Sequence, residues 1–543
     1  MTQRSFVTRR SFLGALVTIP AAASAVGCIA QTDEEDESSL DAALSGYPTL
    51  DLRADCGAKG DGTTNDTAAF QKAAKLIQAA GGGTLVIPAG TYIVGKQTKK
   101  TSSTQSGPYY KHQDIFKVTG VAAVAVKGYG ATIRVARWLH YGGFDPETGA
   151  PIDVTGGTDN AAQVGRVFEI ADSNNVAISG VEIDGNLKYL KLGGQWGDKD
   201  RQCAATGVWL NRCLAATITD VHTHHHALDG IAVVHRYTTP TVKKPHTLLR
   251  VVSEYNGRQA LSWIGGWGLY CTDCEFNHTG RAVNQGGGVD SGLPYMAAPG
   301  AGLDIEPNAA EPDEISRDGV FTRCEFVDNA GAGMLADVGD GGYSTFDDCT
   351  FWGTTTYSIW PRRPGLKFKY SRIYGTAVHL HDGSTPESPT PNATLATSFE
   401  DCVFEDRPWT NGTVFRKGYL YDAGNGADKA AFRRCTFKST KVRAVYMGGD
   451  SSETFDTCTF VLGNTALAGG DYQTYFRGSR ITSCHFTETS AISAGTKSYF
   501  IKVDNVVVGT PVASAPSTRV DGPRVKWNSA SGSTGTIAPG TYA

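Results

Sequence analysis

The chain has 543 residues, 40% of them hydrophobic and 19% charged, so it has ample material for a core and lacks the composition of a disordered protein. A formal net charge of −4 excludes bulk attraction to nucleic acid or anionic lipid, and an anionic substrate would need a local cluster of cations. Loss of residues 1–27 would remove Arg4, Arg9 and Arg10 and leave a charge of about −7.

Thr8-Arg9-Arg10-Ser11-Phe12-Leu13 resembles the twin-arginine export motif, and an apolar stretch from Leu13 to Val26 follows it. That stretch is short for a bilayer span and has a basic flank, the pattern of a signal peptide. Ala25-Val26-Gly27-Cys28 resembles a bacterial lipobox, with alanine where leucine is usual. Acylation at Cys28 would anchor the protein to a membrane; cleavage near Ala23-Ser24-Ala25 would release it. Either outcome predicts an exported protein, a surface lipoprotein or a secreted one. Residues 29–46 contain the acidic run Asp33–Glu37 and read as a flexible tether. Residues 47–543 read as one domain.

The domain carries a recurring tripeptide at Cys274-Glu275-Phe276, Cys324-Glu325-Phe326, Cys349-Thr350-Phe351, Cys402-Val403-Phe404, Cys435-Thr436-Phe437, Cys458-Thr459-Phe460 and Cys484-His485-Phe486. The closest copies lie 23 to 26 residues apart, one turn of a solenoid of short strands. Side chains alternate along a strand, so each Cys and Phe points inward and stacks on its counterpart in the next coil. The fold class is therefore all-β, a parallel β-helix. The chain has 12 cysteines; those in the tripeptides read as a buried, unbridged ladder. Cys203/Cys213 and Cys271/Cys274 are the disulfide candidates. A zinc site at Cys271-x-x-Cys274 is not expected, for want of a second pair.

Asp55-Cys56-Gly57-Ala58-Lys59-Gly60-Asp61-Gly62, Asn65-Asp66-Thr67 and the segment Gly82–Tyr92 resemble the opening of the pectate lyase superfamily domain. The resemblance implies a single-stranded right-handed parallel β-helix of the pectin-lyase-like kind, active on polysaccharide. Its N-terminal cap would be a helix over Ala68–Ala80, capped by Asp66 or Asn65, with Ala69, Phe70, Ala73, Ala74 and Ile77 on its apolar face. The first coil is expected to begin at Thr84.

Inward apolar pairs align successive coils: Val208/Leu210, Ile231/Val233, Leu261/Trp263, Leu303/Ile305, Met334/Ala336 and Ile359/Pro361. One outward column then reads Trp209, Ala232, Ser262, Asp304, Leu335, Trp360, and its neighbour reads Asn211, Val234, Ile264, Glu306, Asp337, Arg362. Asp229 and Arg258 fall just upstream on two earlier coils. Asp304 and Glu306 sit two strand steps apart, roughly 6.6 Å, close enough to drive their pKa values apart. That separation matches an inverting glycosidase, at roughly 6.5–9.5 Å, whereas Glu306 and Asp337 suit a retaining one, at roughly 5–5.5 Å. Asp304, Glu306, Asp337 and Asp229 are the candidate catalytic residues; Arg362, Arg258, Trp360, Trp209 and His226 are candidates for substrate contact. In His222-Thr223-His224-His225-His226, consecutive rings point in different directions, so no metal site is expected there. Arg236 could bind a carboxylate or sulfate, and the Gly-rich segment from Ala282 to Pro299 could wall a groove.

Three reactions fit the column. The acids followed by Arg362 resemble the polygalacturonase layout in outline, without its Asn-Thr-Asp or Gly-His-Gly motifs, and imply a glycoside hydrolase needing no cofactor. They also resemble the arrangement in calcium-dependent pectate lyases, where Asp304, Glu306 and Asp337 would hold Ca²⁺ and Arg362 would be the base. Val181-Glu182-Ile183-Asp184-Gly185-Asn186 resembles a segment of mannuronan epimerases, whose Asp-Pro-His-Glu motif is absent. A non-catalytic polysaccharide-binding solenoid is the remaining alternative. The expected partner is a polysaccharide, with no nucleic acid and a monomeric state.

Overall fold

A computed structural model describes residues 33–101, 106–235, 244–308, 314–353, 357–409, 418–424, 429–448, 452–464, 467, 471–489, 499–512, 515–521, 525–529, 533–535 and 538–539. The export motif, Cys28 and Arg236 lie outside these residues. Within the span expected as a tether, Asp33–Leu44 is a helix, α1.

The strands stack in parallel into a 14-stranded sheet and a 30-stranded sheet, and a lateral 5-stranded sheet is mixed, with two antiparallel pairings. Asn174–Asp184 pairs with both Leu214–Thr219 and His222–His224, so the largest sheet bends round a corner and supplies two faces of the solenoid. This is the parallel β-helix predicted from the repeat. The capping helix α2 runs Thr67–Ala80 and buries Ala69, Phe70, Ala73, Ala74 and Ile77 as the helical spacing requires. Asn65 Oδ1 accepts from Thr67 N at 3.2 Å, whereas Asp66 turns its carboxylate to the Lys59 and Gly60 amides. The stack starts one strand before Thr84, because Thr49–Asp51 already pairs with Thr84–Val86.

The ladder cysteines are buried, and each sulfur donates to a carbonyl one coil back, as Cys349 does to Phe321 O at 3.3 Å and Cys458 to Phe432 O at 3.5 Å. Their phenylalanines stack face to face: Phe404 on Phe437 at 4.6 Å, Phe437 on Phe460 at 4.8 Å and Phe460 on Phe486 at 4.7 Å between centroids. A second aromatic column stands three residues before the cysteines, or before Ser371 in the case of Phe368, running Phe321, Phe346, Phe368, Phe399, Phe432, Phe455 with centroids 4.7 to 5.0 Å apart. Between the columns the chain turns a corner on one residue of positive φ, such as Asp273 (54°), Asp401 (54°) or Thr457 (58°). Such a φ is uncommon outside glycine; here it lets two short strands meet at a corner while the residues two before and one after it, such as Phe399 and Cys402, still point inward.

The disulfide candidates are corrected by this packing: Cys203, Cys213, Cys271 and Cys274 are all free and buried. Cys271 sits opposite Phe321 in the second aromatic column and Cys274 belongs to the ladder, so each thiol faces the core across the corner residue Asp273. Burial pushes the thiols of Cys203 and Cys213 up to about 12 and about 11, which keeps them unreactive.

Candidate active site

Seven strands of the 14-stranded sheet carry the candidate residues: β1 (Gly165–Ala171), β2 (Ala205–Asn211), β3 (Asp229–Val234), β4 (Gln259–Trp263), β5 (Ala301–Ile305), β6 (Met334–Ala336) and β7 (Ile359–Pro361). Their register agrees with the alignment of inward pairs: Trp209 opposite Ala232, Ala232 opposite Ser262, Ser262 opposite Asp304, Asp304 opposite Leu335 and Leu335 opposite Trp360. Glu306 stays in step just past β5, its amide donating to Trp263 O at 3.0 Å.

The acids converge on a cation one coil earlier. Arg258 places Nη2 3.0 Å from Glu306 Oε2 and Nη1 3.6 Å from Asp229 Oδ2, and also donates to Gln259 Oε1 at 3.0 Å. Gln259 in turn donates to Asp304 Oδ2. Asp229 opens β3 directly opposite Gln259, so three adjacent coils supply the cluster. Asp304 and Asp229 are each 1% exposed, while the Glu306 side chain keeps 38% exposure and faces solvent. Burial, then the Glu306 charge, hold the Asp304 carboxyl well above the usual carboxylate range, with Arg258 opposing them. Burial likewise raises Asp229 to about 6, with Arg258 opposing it. Asp229 Oδ1 and Ser262 Oγ have no hydrogen-bond partner among the described residues.

Backbone positions two steps apart stand roughly 6.6 Å apart, and the preceding coil ties both carboxyls into one network, Arg258 at Glu306 and Gln259 at Asp304. Asp337 lies one coil on and pairs with Arg362 at 3.2 Å, so the cation at the carboxyl pair is Arg258 and Arg362 serves the next acid.

Two expected sugar contacts, His226 and Trp209, are placed differently, while Trp360 keeps its place in the outward column. His226 is 2% exposed; its Nε2 meets Thr223 Oγ1 at 3.0 Å and burial lowers it to about 3, so it is a neutral interior group. Trp209 is 9% exposed and lies beneath the Arg166 guanidinium, 3.8 Å from its ring centroid, because the long arginine folds over it from β1. Trp360 is half-buried with one face stacked on His379 at 4.7 Å. Trp263 is in the core, as its inward position requires.

The Ala282–Pro299 segment packs on a second long loop. Asn284 donates to Leu187 O and Leu190 O at 2.8 and 2.9 Å, and Asp290 pairs with Arg201 at 2.8 Å.

The histidine run departs from its expected scatter. His222 and His224 share an outward face and stand beside Glu182 and Asp184, giving two groups able to hold a metal ion: Glu182/His222/His224 and Asp184/His224/His225. Sequence reasoning missed this because Glu182 lies a full coil away; the x-Glu-x-Asp and His-x-His alternations were the available signal.

Residues 54–106 match the model of a family described as rhamnogalacturonase A/epimerase, pectate lyase-like. No curated protein sequence matches the chain. Among solved structures, similarity is found to the mannuronan C-5 epimerase AlgE4 A-module of Azotobacter vinelandii, at 13% identity and TM-score 0.38 over 89% of this chain and 100% of that one. The N-terminal fragment of bacteriophage Phi29 gene product 12 gives 14% identity and TM-score 0.43 over 90% and 71%. The tailspike gp49 of the Acinetobacter baumannii bacteriophage Fri1, a capsular polysaccharide depolymerase, gives 13% and 0.33 over 87% and 65%. These likenesses are too distant to bear on the chemistry. The chain is a parallel β-helix, and its residues 54–106 match the model of the family described as rhamnogalacturonase A/epimerase, pectate lyase-like.

Proposed function

We propose that the protein cleaves a polysaccharide by hydrolysis, with Glu306 and Asp304 as a proton-sharing acid and Asp337 as the base. The observation that carries this reading is the Asp304–Glu306 pair, whose buried member is held well above the usual carboxylate range. Two acids on one strand face disfavour double ionisation, and burial favours the protonated form of Asp304. Glu306, the solvent-facing member, delivers the proton to the leaving glycosidic oxygen; Asp304 is the positioning residue behind it. Asp337, one coil on and oriented by Arg362, activates the attacking water. Asp229 acts at one remove, fixing Arg258.

A calcium-dependent lyase is supported less well. Its metal would need several ionised oxygens, and here Arg258 already lies among the carboxylates while Asp337 is matched by Arg362. Arg258 is also a poor base, because Asp229, Asp304 and Glu306 raise its pKa against the effect of burial. Polysaccharide as the substrate class rests on the family match over residues 54–106 and on fold-level analogy. An exported, monomeric protein, with or without a lipid at Cys28, is part of the same proposal.

The test is reducing-end release by the wild type, Glu306→Gln, Asp304→Asn and Asp337→Asn. Loss of about 10²–10⁴-fold in kcat for Glu306→Gln and Asp337→Asn, with unchanged circular dichroism, is the expected result. Full activity in either variant overturns the assignment.

A further inference from the structure

On the bent 30-stranded sheet, away from the carboxyl cluster, the strand His222–His224 runs parallel to Asn174–Asp184 with His222 opposite Glu182 and His224 opposite Asp184. Thr223 points into the core, so the first and third histidines face outward together, their ring centroids 4.3 Å apart. His224 Nε2 stands 3.2 Å from Glu182 Oε1, and one ligand atom from each of Glu182, His222 and His224 lies within 4.8 Å of the other two. The other Glu182 oxygen accepts from Thr132 Oγ1 at 2.8 Å, which fixes the carboxylate as outer partners fix metal ligands. The His224 side chain is only 11% exposed, so its ring is held by the fold.

The surroundings favour a cation. The outward column continues from His222 through Val252 to Glu275 and Glu325, and Glu254 Oε1 lies 3.1 Å from His222 Nε2. The leading cationic neighbours of Glu182, Glu254 and Glu275 are imidazoles, of His222, His224 and His278. The alternative triad is less suited. Its Asp184 is paired with Arg134 at 2.7 Å, and its cleft of about 280 Å³ is also lined by Arg137 and Lys188.

We propose that Glu182, His222 and His224 bind a borderline divalent transition-metal cation of the zinc class. Two imidazoles and a carboxylate suit that class, and three protein ligands leave a fourth position of a tetrahedron for water or a substrate oxygen. A hydrogen-bonded ion pair is the plain alternative for His224 with Glu182, and metal binding separates the two.

The experiment uses the tag-free chain, stripped with chelator and dialysed, then titrated with Zn²⁺ by calorimetry and with Co²⁺ by visible absorption. One Zn²⁺ per chain and a tetrahedral Co²⁺ spectrum are expected. His222→Ala and His224→Ala should abolish both, and Thr132→Val should weaken binding about 10–100-fold. Absence of binding by the wild type overturns the proposal, as does binding that survives both histidine variants. Loss on His225→Ala with His222→Ala neutral also overturns it, by moving the metal to the Asp184 triad.

Discussion

Replacing Arg258 by methionine keeps the volume of the stem and removes the charge that holds the carboxyl cluster together. Its guanidinium lies 3.0 Å from Glu306 and 3.6 Å from Asp229, and its side chain is 15% exposed, so the variant leaves Asp229, 1% exposed, without its ion-pair partner. Removing one partner of a buried pair costs about 3–5 kcal/mol, because the other charge stays buried and uncompensated. That cost depends on pH. Asp229 already stands at about 6 against an ordinary 3.8, and Arg258 is the main influence holding it down. A folded value above the unfolded one means that the folded state keeps a proton the unfolded state has released. The associated stability is present below about pH 4 and is lost as pH rises through 6, about 3 kcal/mol for the wild type. Without Arg258 the folded value climbs further and the window extends upward. Urea unfolding midpoints of wild type and Arg258→Met should therefore differ most at pH 8, with less than about half of that difference left at pH 5. An equal loss at both pH values would refute the reasoning, since it would mean that Arg258 contributes packing and no charge.

Two more outcomes follow from the core. Phe432→Ala removes a ring stacked between Phe399 and Phe455 and should cost about 3–5 kcal/mol in chemical unfolding, whereas a loss below about 1 kcal/mol would mean that the stack does not hold the coils together. Because Cys203, Cys213, Cys271 and Cys274 are free, reductant should leave the thermal midpoint unchanged, and thiol titration in denaturant without reductant should count all four; a pair missing from that count would restore a disulfide.

The coil register was legible because its signal is purely local. The Cys-x-Phe tripeptides and the inward apolar pairs alternate with period two, and a slip of one residue would have put Leu303 and Ile305 in solvent, so one alignment survives. The second aromatic column was equally written in the chain, with a phenylalanine three residues before Cys324, Cys349, Cys402, Cys435 and Cys458, but it lies on another strand beyond a one-residue corner whose φ no composition rule signals. What stayed hidden depends on long side chains crossing coils. Arg258 reaches forward to Glu306 and back to Asp229, and Arg166 folds over Trp209; neither follows from strand spacing. The juxtaposition of Glu182 with His224 needs the coil length between residues 182 and 222, which a variable loop conceals.

The most direct test of the central claim is digestion of a panel of neutral, uronic and sulfated polysaccharides, following reducing ends and ultraviolet absorbance together, with and without EGTA. The account predicts reducing ends with no absorbance, undiminished by EGTA and abolished by Glu306→Gln. Absorbance from an unsaturated uronate that disappears with EGTA would contradict it, and would make the Asp304–Glu306 pair part of a calcium site in place of an acid.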